Sequence, residues 1–167
     1  RGNAGAMPQL SLMTPLGDIT LSEEDGALVA LDWGRGRDQT PTPLLREARD
    51  QLHDYFDGRR LSFQLPLAPH GTPYQRRVWA ALARIPPGQT RSYAEIAREI
   101  ASAPRAVGQA NGRNPLPILI PCHRVVAADG SLGGYSGEGG TDTKRFLLAH
   151  EARALSQHQP EPGIHAP

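Results

Sequence analysis

Cysteine and lysine are nearly missing from this 167-residue chain, which has one of each, Cys122 and Lys144. A single cysteine excludes an internal disulfide and any multi-thiolate zinc site, which suits a reducing compartment and leaves only lone-thiol chemistry to Cys122. No metal and no cofactor are expected. Aromatic residues make up only 5% of the chain, and no apolar run approaches the ~18 residues of a membrane-crossing helix. A membrane partner is therefore not expected. The opening Arg-Gly-Asn-Ala-Gly-Ala lacks the apolar stretch of a signal peptide, so residues 1–6 read as a candidate foreign remnant before a native start at Met7, and the location as cytoplasmic.

The net charge of +1 hides an asymmetry: residues 1–70 hold 7 Lys+Arg against 10 Asp+Glu, whereas residues 71–152 hold 10 against 6. A basic, arginine-dominated half suits a polyanionic partner. The same boundary divides the expected organisation into an N-terminal domain over 7–70, a C-terminal domain over 71–152 and a polar, disordered tail over 153–167.

The expected fold class is α+β: a small N-terminal module with an antiparallel sheet, then a mainly helical domain. From Gln9 to Trp33, short alternating segments separated by turn signals predict a meander of strands. Leu45, Ala48, Leu52, Tyr55 and Phe56 recur at helical spacing, and Leu61 to Leu67 alternates and is expected to rejoin the sheet. Nothing in this module looks chemical. Further on, Thr72-Pro73-Tyr74-Gln75 and Ser92-Tyr93-Ala94-Glu95 are capping boxes that start two helices, and Arg105 to Arg113 reads as a third. The last two helices make a helix-turn-helix candidate. Such pairs also serve simply as packing units, but Ala106, Gly108, Ala110 and Gly112 would let the third helix approach a narrow surface such as the DNA minor groove. Ile118-Leu119-Ile120 reads as a buried extended run leading into Cys122, Val125-Val126 with Asp129-Gly130 as a return hairpin, and the glycine-rich segment from Gly133 to Gly140 as a loop. A last helix is expected from Thr143.

A thiol has a pKa near ~8.5, so attack on an unactivated alkyl carbon needs a base and an electropositive setting. His123 supplies a base and Arg124 a fixed charge. Neighbours on a strand face opposite ways, so contact between His123 and the sulfur needs either a turn or a bridging water, and the water is favoured. A carboxylate would then orient the histidine, and the residues leave Asp129, Glu138, Asp142 and Glu151 open for that role.

Pro121-Cys122-His123-Arg124-Val125 resembles the active-site signature of the O6-alkylguanine-DNA alkyltransferases. Further motifs follow in family order: Gly71-Thr72-Pro73-Tyr74-Gln75, Ile85-Pro86-Pro87-Gly88, Arg105-Ala106-Val107-Gly108 with Asn114-Pro115, Gly134-Tyr135-Ser136-Gly137 with Lys144, and Leu147-Leu148-Ala149-His150-Glu151. The resemblance implies a single-turnover transferase that moves an alkyl group from O6 of guanine, and in some cases O4 of thymine, to Cys122. His123 would be the base and Glu151 its orienter, Asn114 would tie the helix-turn-helix to the thiol loop, and Tyr93 would donate to the departing guanine. Pro121 and Val125 would wall the alkyl group, while Tyr135 and Ser136 line the guanine pocket. Arg105 would fill the space left by the flipped nucleotide, and Thr72, Tyr93, Ala103, Ala106, Gly108 and Arg113 would meet double-stranded DNA in the minor groove. A monomer without cofactor suffices for this.

Two departures from the family pattern stand out: Pro104 lies on the expected DNA face, and the segment from Ser136 to Lys144 is longer and carries acidic Glu138 and Asp142. The rival readings are a non-catalytic alkylated-DNA sensor or helix-turn-helix regulator, and a Cys-His hydrolase that would need an oxyanion hole.

Overall fold

The alternating N-terminal segments pair as an antiparallel meander in the computed structural model, which describes residues 7–132 and 140–158. Its strands are β1 (Gln9–Thr14), β2 (Gly17–Glu24) and β3 (Ala27–Trp33), with Leu12 opposite Ile19 and Leu21 opposite Leu31. Asp25 and Gly26, both at positive φ (53° and 80°), close the second hairpin with the primed turn that matches strand twist. Helix α1 (Pro43–Phe56) starts at Thr42, whose hydroxyl accepts from the Leu45 amide at 3.1 Å. It buries Leu45, Ala48, Leu52 and Tyr55 in a core shared with Ile19 and Leu21 of the sheet.

Leu61–Leu67 does not rejoin the sheet as a strand. It meets β3 through one bridge, between Leu28 and Leu67, fixed by Leu28 N donating to Pro66 O at 2.9 Å and Ala68 N donating to Leu28 O at 2.8 Å. Pro66 has no amide hydrogen with which to extend the ladder.

In the second half both capping boxes form, Thr72 with Gln75 ahead of α2 (Pro73–Ala83) and Ser92 with Glu95 ahead of α3 (Tyr93–Glu99). Helix α4 (Pro104–Gly112) follows a turn in which Ala101 sits at φ 56°. The buried Trp79 indole donates to Ala110 O at 2.9 Å and fastens α2 to α4. The expected helix-turn-helix is therefore α3 and α4, with α2 packed behind it.

Three expectations are corrected downstream. Ile118-Leu119-Ile120 is a buried turn rather than a strand: Ile118 adopts φ 74°, and Ile120 N donates back to Leu116 O at 2.8 Å. Val125–Val126 (β5) pairs in parallel with Arg91–Ser92 (β4) rather than in a hairpin, although the chain does turn at Asp129-Gly130, where Ala127 N donates to Ser131 O at 2.9 Å. Helix α5 spans Thr141–His158, so residues 153–158 are helical and not part of a disordered tail. Ala154 explains the extension, since it is buried at 2% exposure and gives this last turn a packed face.

Candidate active site

The turn of Ile118–Ile120 delivers the chain into a second, tighter one. Pro121 has φ −79° and ψ 65°, and Cys122 N donates to Ile120 O at 2.7 Å, the geometry of an inverse γ-turn. Cys122–Arg124 then forms one 3-10 turn, so Cys122 and His123 do not alternate as neighbours on a strand would. Two asparagines of the helix-turn-helix hold this loop. Asn114 donates through Nδ2 to Ile120 O at 2.9 Å and accepts the Leu116 amide at 2.9 Å. Asn111, on α4, donates to the Cys122 carbonyl at 3.3 Å. Asn114 was expected to tie the loop, whereas Asn111 was missed.

Cys122, His123 and Glu151 each have 0% exposure. His123 Nε2 lies 2.7 Å from Glu151 Oε2, which selects Glu151 from the four carboxylates left open by the sequence. Among the other three, Asp129 and Asp142 are exposed and Glu138 lies outside the described residues. The carboxylate also receives Arg124 Nε at 2.9 Å on Oε1, and Arg124 Nη2 at 2.8 Å and the Tyr55 hydroxyl at 2.7 Å on Oε2. Arg124 is anchored in turn on Ile85 O at 2.7 Å, beyond the end of α2. The sequence offered no local signal for Tyr55, which lies 96 residues from Glu151 in the module read as non-chemical.

The electrostatics assign protonation states. Burial alone would raise the Glu151 carboxyl, but hydrogen bonds from His123 and Arg124 and the fixed guanidinium charge hold it well below the ordinary carboxylate range. It is ionised. An ionised carboxylate only accepts, so His123 Nε2 carries the hydrogen of their contact. Burial pushes the imidazole below its ordinary 6.5, against the opposing pull of Glu151, so His123 is neutral at pH 7. Its Nδ1 is then a bare acceptor, buried and without a hydrogen-bond partner among the described residues.

Lys144 is fully buried with its Nζ 5.9 Å from the centroid of the Tyr93 ring. Burial lowers the ammonium to about 8, and the charge of Cys122 opposes that shift. Burial, and then the same charge, push the Tyr93 hydroxyl up. Tyr93 and Lys144 thus stand within electrostatic reach of the sulfur. Lys144 had no role in the sequence reading beyond its place in a motif.

Pro121 and Val125 are buried in the same loop, and Tyr135 and Ser136 lie outside the described residues. Thr72, Ala106, Gly108 and Arg113 line one surface groove between the start of α2 and α4, while Arg105 and Ala103 are exposed at the start of α4. A Cβ on Gly108 would meet only the Tyr93 ring, at an ordinary 3.8 Å. The fold itself does not require glycine there, although glycine within a helix costs about 1 kcal/mol against alanine.

Family models match both halves: "6-O-methylguanine DNA methyltransferase, ribonuclease-like domain" over residues 10–69 and "6-O-methylguanine DNA methyltransferase, DNA binding domain" over residues 73–153. The chain belongs to this family. It is 47% identical to the constitutive methylated-DNA–protein-cysteine methyltransferase of Bacillus subtilis, over 81% of this chain and 89% of the relative. With the corresponding Methanosarcina barkeri protein it shares 46% identity, over 85% and 95% of the two chains. Its fold matches a crystal structure of Mycobacterium tuberculosis OGT in complex with DNA at TM-score 0.79 and 43% identity, covering 87% of this chain and 93% of the other.

Acid should weaken this cluster. Glu151, held below its ordinary 4.5, contributes stability that is complete above that pH and is lost as pH falls through the folded value. His123, held below 6.5, acts in the same direction, because the unfolded chain takes up the proton first. Glu151→Gln leaves Arg124 buried without its counter-charge, so denaturant unfolding at pH 7 should show a loss of about 3–5 kcal/mol and a flatter acid slope. A variant as stable as the parent at pH 7 would contradict the assignment.

Proposed function

We propose that this protein repairs alkylated DNA by transferring an alkyl group from O6 of guanine to Sγ of Cys122, once per molecule. The observation that carries the reading is the fully buried His123, next to Cys122 in one 3-10 turn, with its Nε2 2.7 Å from Glu151 and its Nδ1 without a hydrogen-bond partner among the described residues. Nδ1 takes the Cys122 proton through a water, and Glu151 stabilises the imidazolium that results. The thiolate attacks the alkyl carbon, an S–C bond forms, the C–O bond breaks, and Tyr93 supplies a proton to the departing guanine. Burial of Cys122 and His123 excludes bulk water from the reacting atoms. The product is a thioether that no group in the site can cleave, so the protein is consumed as it reacts. A reducing cytoplasm keeps the thiol available.

The target oxygen lies within the base stack, so the nucleotide must rotate out of the duplex at a cost of a few kcal/mol. Arg105 fills the gap it leaves. The α4 groove, with Thr72, Ala106, Gly108 and Arg113, seats the minor groove, and the glycine unneeded by the fold gives the DNA close approach. Asn114 ties this helix pair to the loop of Cys122, with Pro121 and Val125 walling the alkyl group and Tyr135 and Ser136 meeting the guanine. A monomer suffices, since every group in the scheme comes from one chain.

Incubation with duplex DNA carrying O6-methylguanine should add a single methyl-for-hydrogen increment to the intact mass, absent in Cys122→Ala. DNA binding without any mass change would favour a sensor, and repeated turnover of an ester or amide would favour a hydrolase. Arg105→Ala should slow methyl transfer from duplex DNA by about tenfold or more, equivalent to ~1.4 kcal/mol, yet leave reaction with free O6-benzylguanine near the parental rate. Equal slowing of both would eliminate the gap-filling role.

A further inference from the structure

The N-terminal module reaches the reacting cluster through one side chain. Tyr55, on α1, is fully buried, and its hydroxyl donates to Glu151 Oε2 at 2.7 Å, the oxygen that also accepts from His123. Its backbone carbonyl accepts His150 Nε2 at 2.6 Å, and its ring packs edge-on against Phe56 with Phe63 and His150 nearby. Ring and carbonyl fasten α1 to α5, a task a phenylalanine would perform as well. The hydroxyl has a different task.

Given the alkyl-transfer reading above, we propose that Tyr55 is a positioning residue for this reaction: its hydroxyl fixes the Glu151 carboxylate in the orientation that turns His123 Nδ1 toward the thiol, and it limits how tightly that carboxylate holds a protonated His123. Oε2 accepts three donors, from Tyr55, His123 and Arg124 Nη2. Charge drawn toward one donor is withdrawn from the others, so removing the phenol hydrogen strengthens the pull of Glu151 on the imidazole. Among the described residues, the titratable and charged groups around this pair are Tyr55 from α1, Arg124 from the 3-10 turn and Lys144 from α5, with Cys122 next to His123 in the chain and His150 behind Tyr55. Among the described donors to Glu151, Tyr55 is the one outside the proton-transfer pair whose contact can be removed without changing the net charge of the cluster. Loss of its hydroxyl therefore raises the pH at which His123 gives up its proton and becomes a base.

Tyr55→Phe keeps the ring packing and the carbonyl bond, so it isolates the hydroxyl. The test is the pH–rate profile of single-turnover benzyl transfer from free O6-benzylguanine to the full chain, which needs no DNA. The acid limb should move to higher pH by about half a unit or more, and the plateau rate should fall by about 3- to 10-fold. An active parent and a Tyr55→Phe profile with its acid limb unmoved, whatever the change in melting temperature, overturn the inference alone. A parent that transfers no benzyl group overturns the alkyl-transfer reading and the inference with it. If Tyr55→Phe does not fold, 3-fluorotyrosine at position 55, a stronger donor of similar shape, should move the acid limb to lower pH. An unmoved limb there also refutes it.

Discussion

One buried carboxylate organises the molecule. Glu151 has no exposed surface, yet it is ionised, because α1 sends it a phenol hydroxyl, the turn after Cys122 an imidazole and a guanidinium, and α5 carries the carboxylate itself. An unpaired carboxylate in such a place would be protonated or would open the structure to water. The fold thus comes together where three distant segments meet one charge. Core packing is continuous across the same junction, since Tyr55, Leu82, Ile96, Leu116 and Leu147 belong to one buried cluster.

Buried ion pairs contribute little net stability compared with apolar side chains of similar size. The arrangement is better understood by what it does to His123. Arg124 neutralises Glu151, so the carboxylate is dressed as an acceptor without drawing a permanent proton onto the imidazole. The histidine stays neutral under burial, with one nitrogen committed and the other bare. Within electrostatic reach of the thiol, Lys144 and Tyr93 provide a cation and a hydrogen donor, both buried enough to act at low dielectric. The same loop is tied through Asn111 and Asn114 to the helix pair proposed to meet DNA, so that surface and the loop of Cys122 are joined by direct hydrogen bonds.

How much of this was legible in the sequence depended on how local the signal was. The capping boxes at Thr72 and Ser92 mark helix starts because cap and partner are three residues apart, and both formed as read. The β-meander was legible for the same reason, through alternation and an Asp-Gly turn. Ile118–Ile120 misled because an apolar run carries no sign of its backbone, and Ile118 adopts a positive φ that a β-branched residue rarely takes. Leu61–Leu67 alternates yet only touches β3, since Pro66 has no amide hydrogen with which to extend the ladder. Cys122 and His123 stood out from their own residue types and spacing, whereas Asn114 and Glu151 needed the family resemblance, Glu151 to stand out among four candidate carboxylates. Tyr55 could not be found locally at all: in sequence it is one apolar position of an amphipathic helix, and its hydroxyl acquires meaning only when α5 brings Glu151 to it. Asn111 was hidden similarly, as one polar residue among the small ones of α4.

The proposed chemistry turns on Glu151 holding His123 neutral with its hydrogen on Nε2, so that Nδ1 can take the proton from Cys122. The direct measurement is the ¹⁵N chemical shifts of the His123 imidazole in the full, unalkylated chain at pH 7. A neutral ring with a protonated Nε2 and a bare Nδ1 is expected. An imidazolium, or a hydrogen on Nδ1 with Nε2 bare, would contradict it.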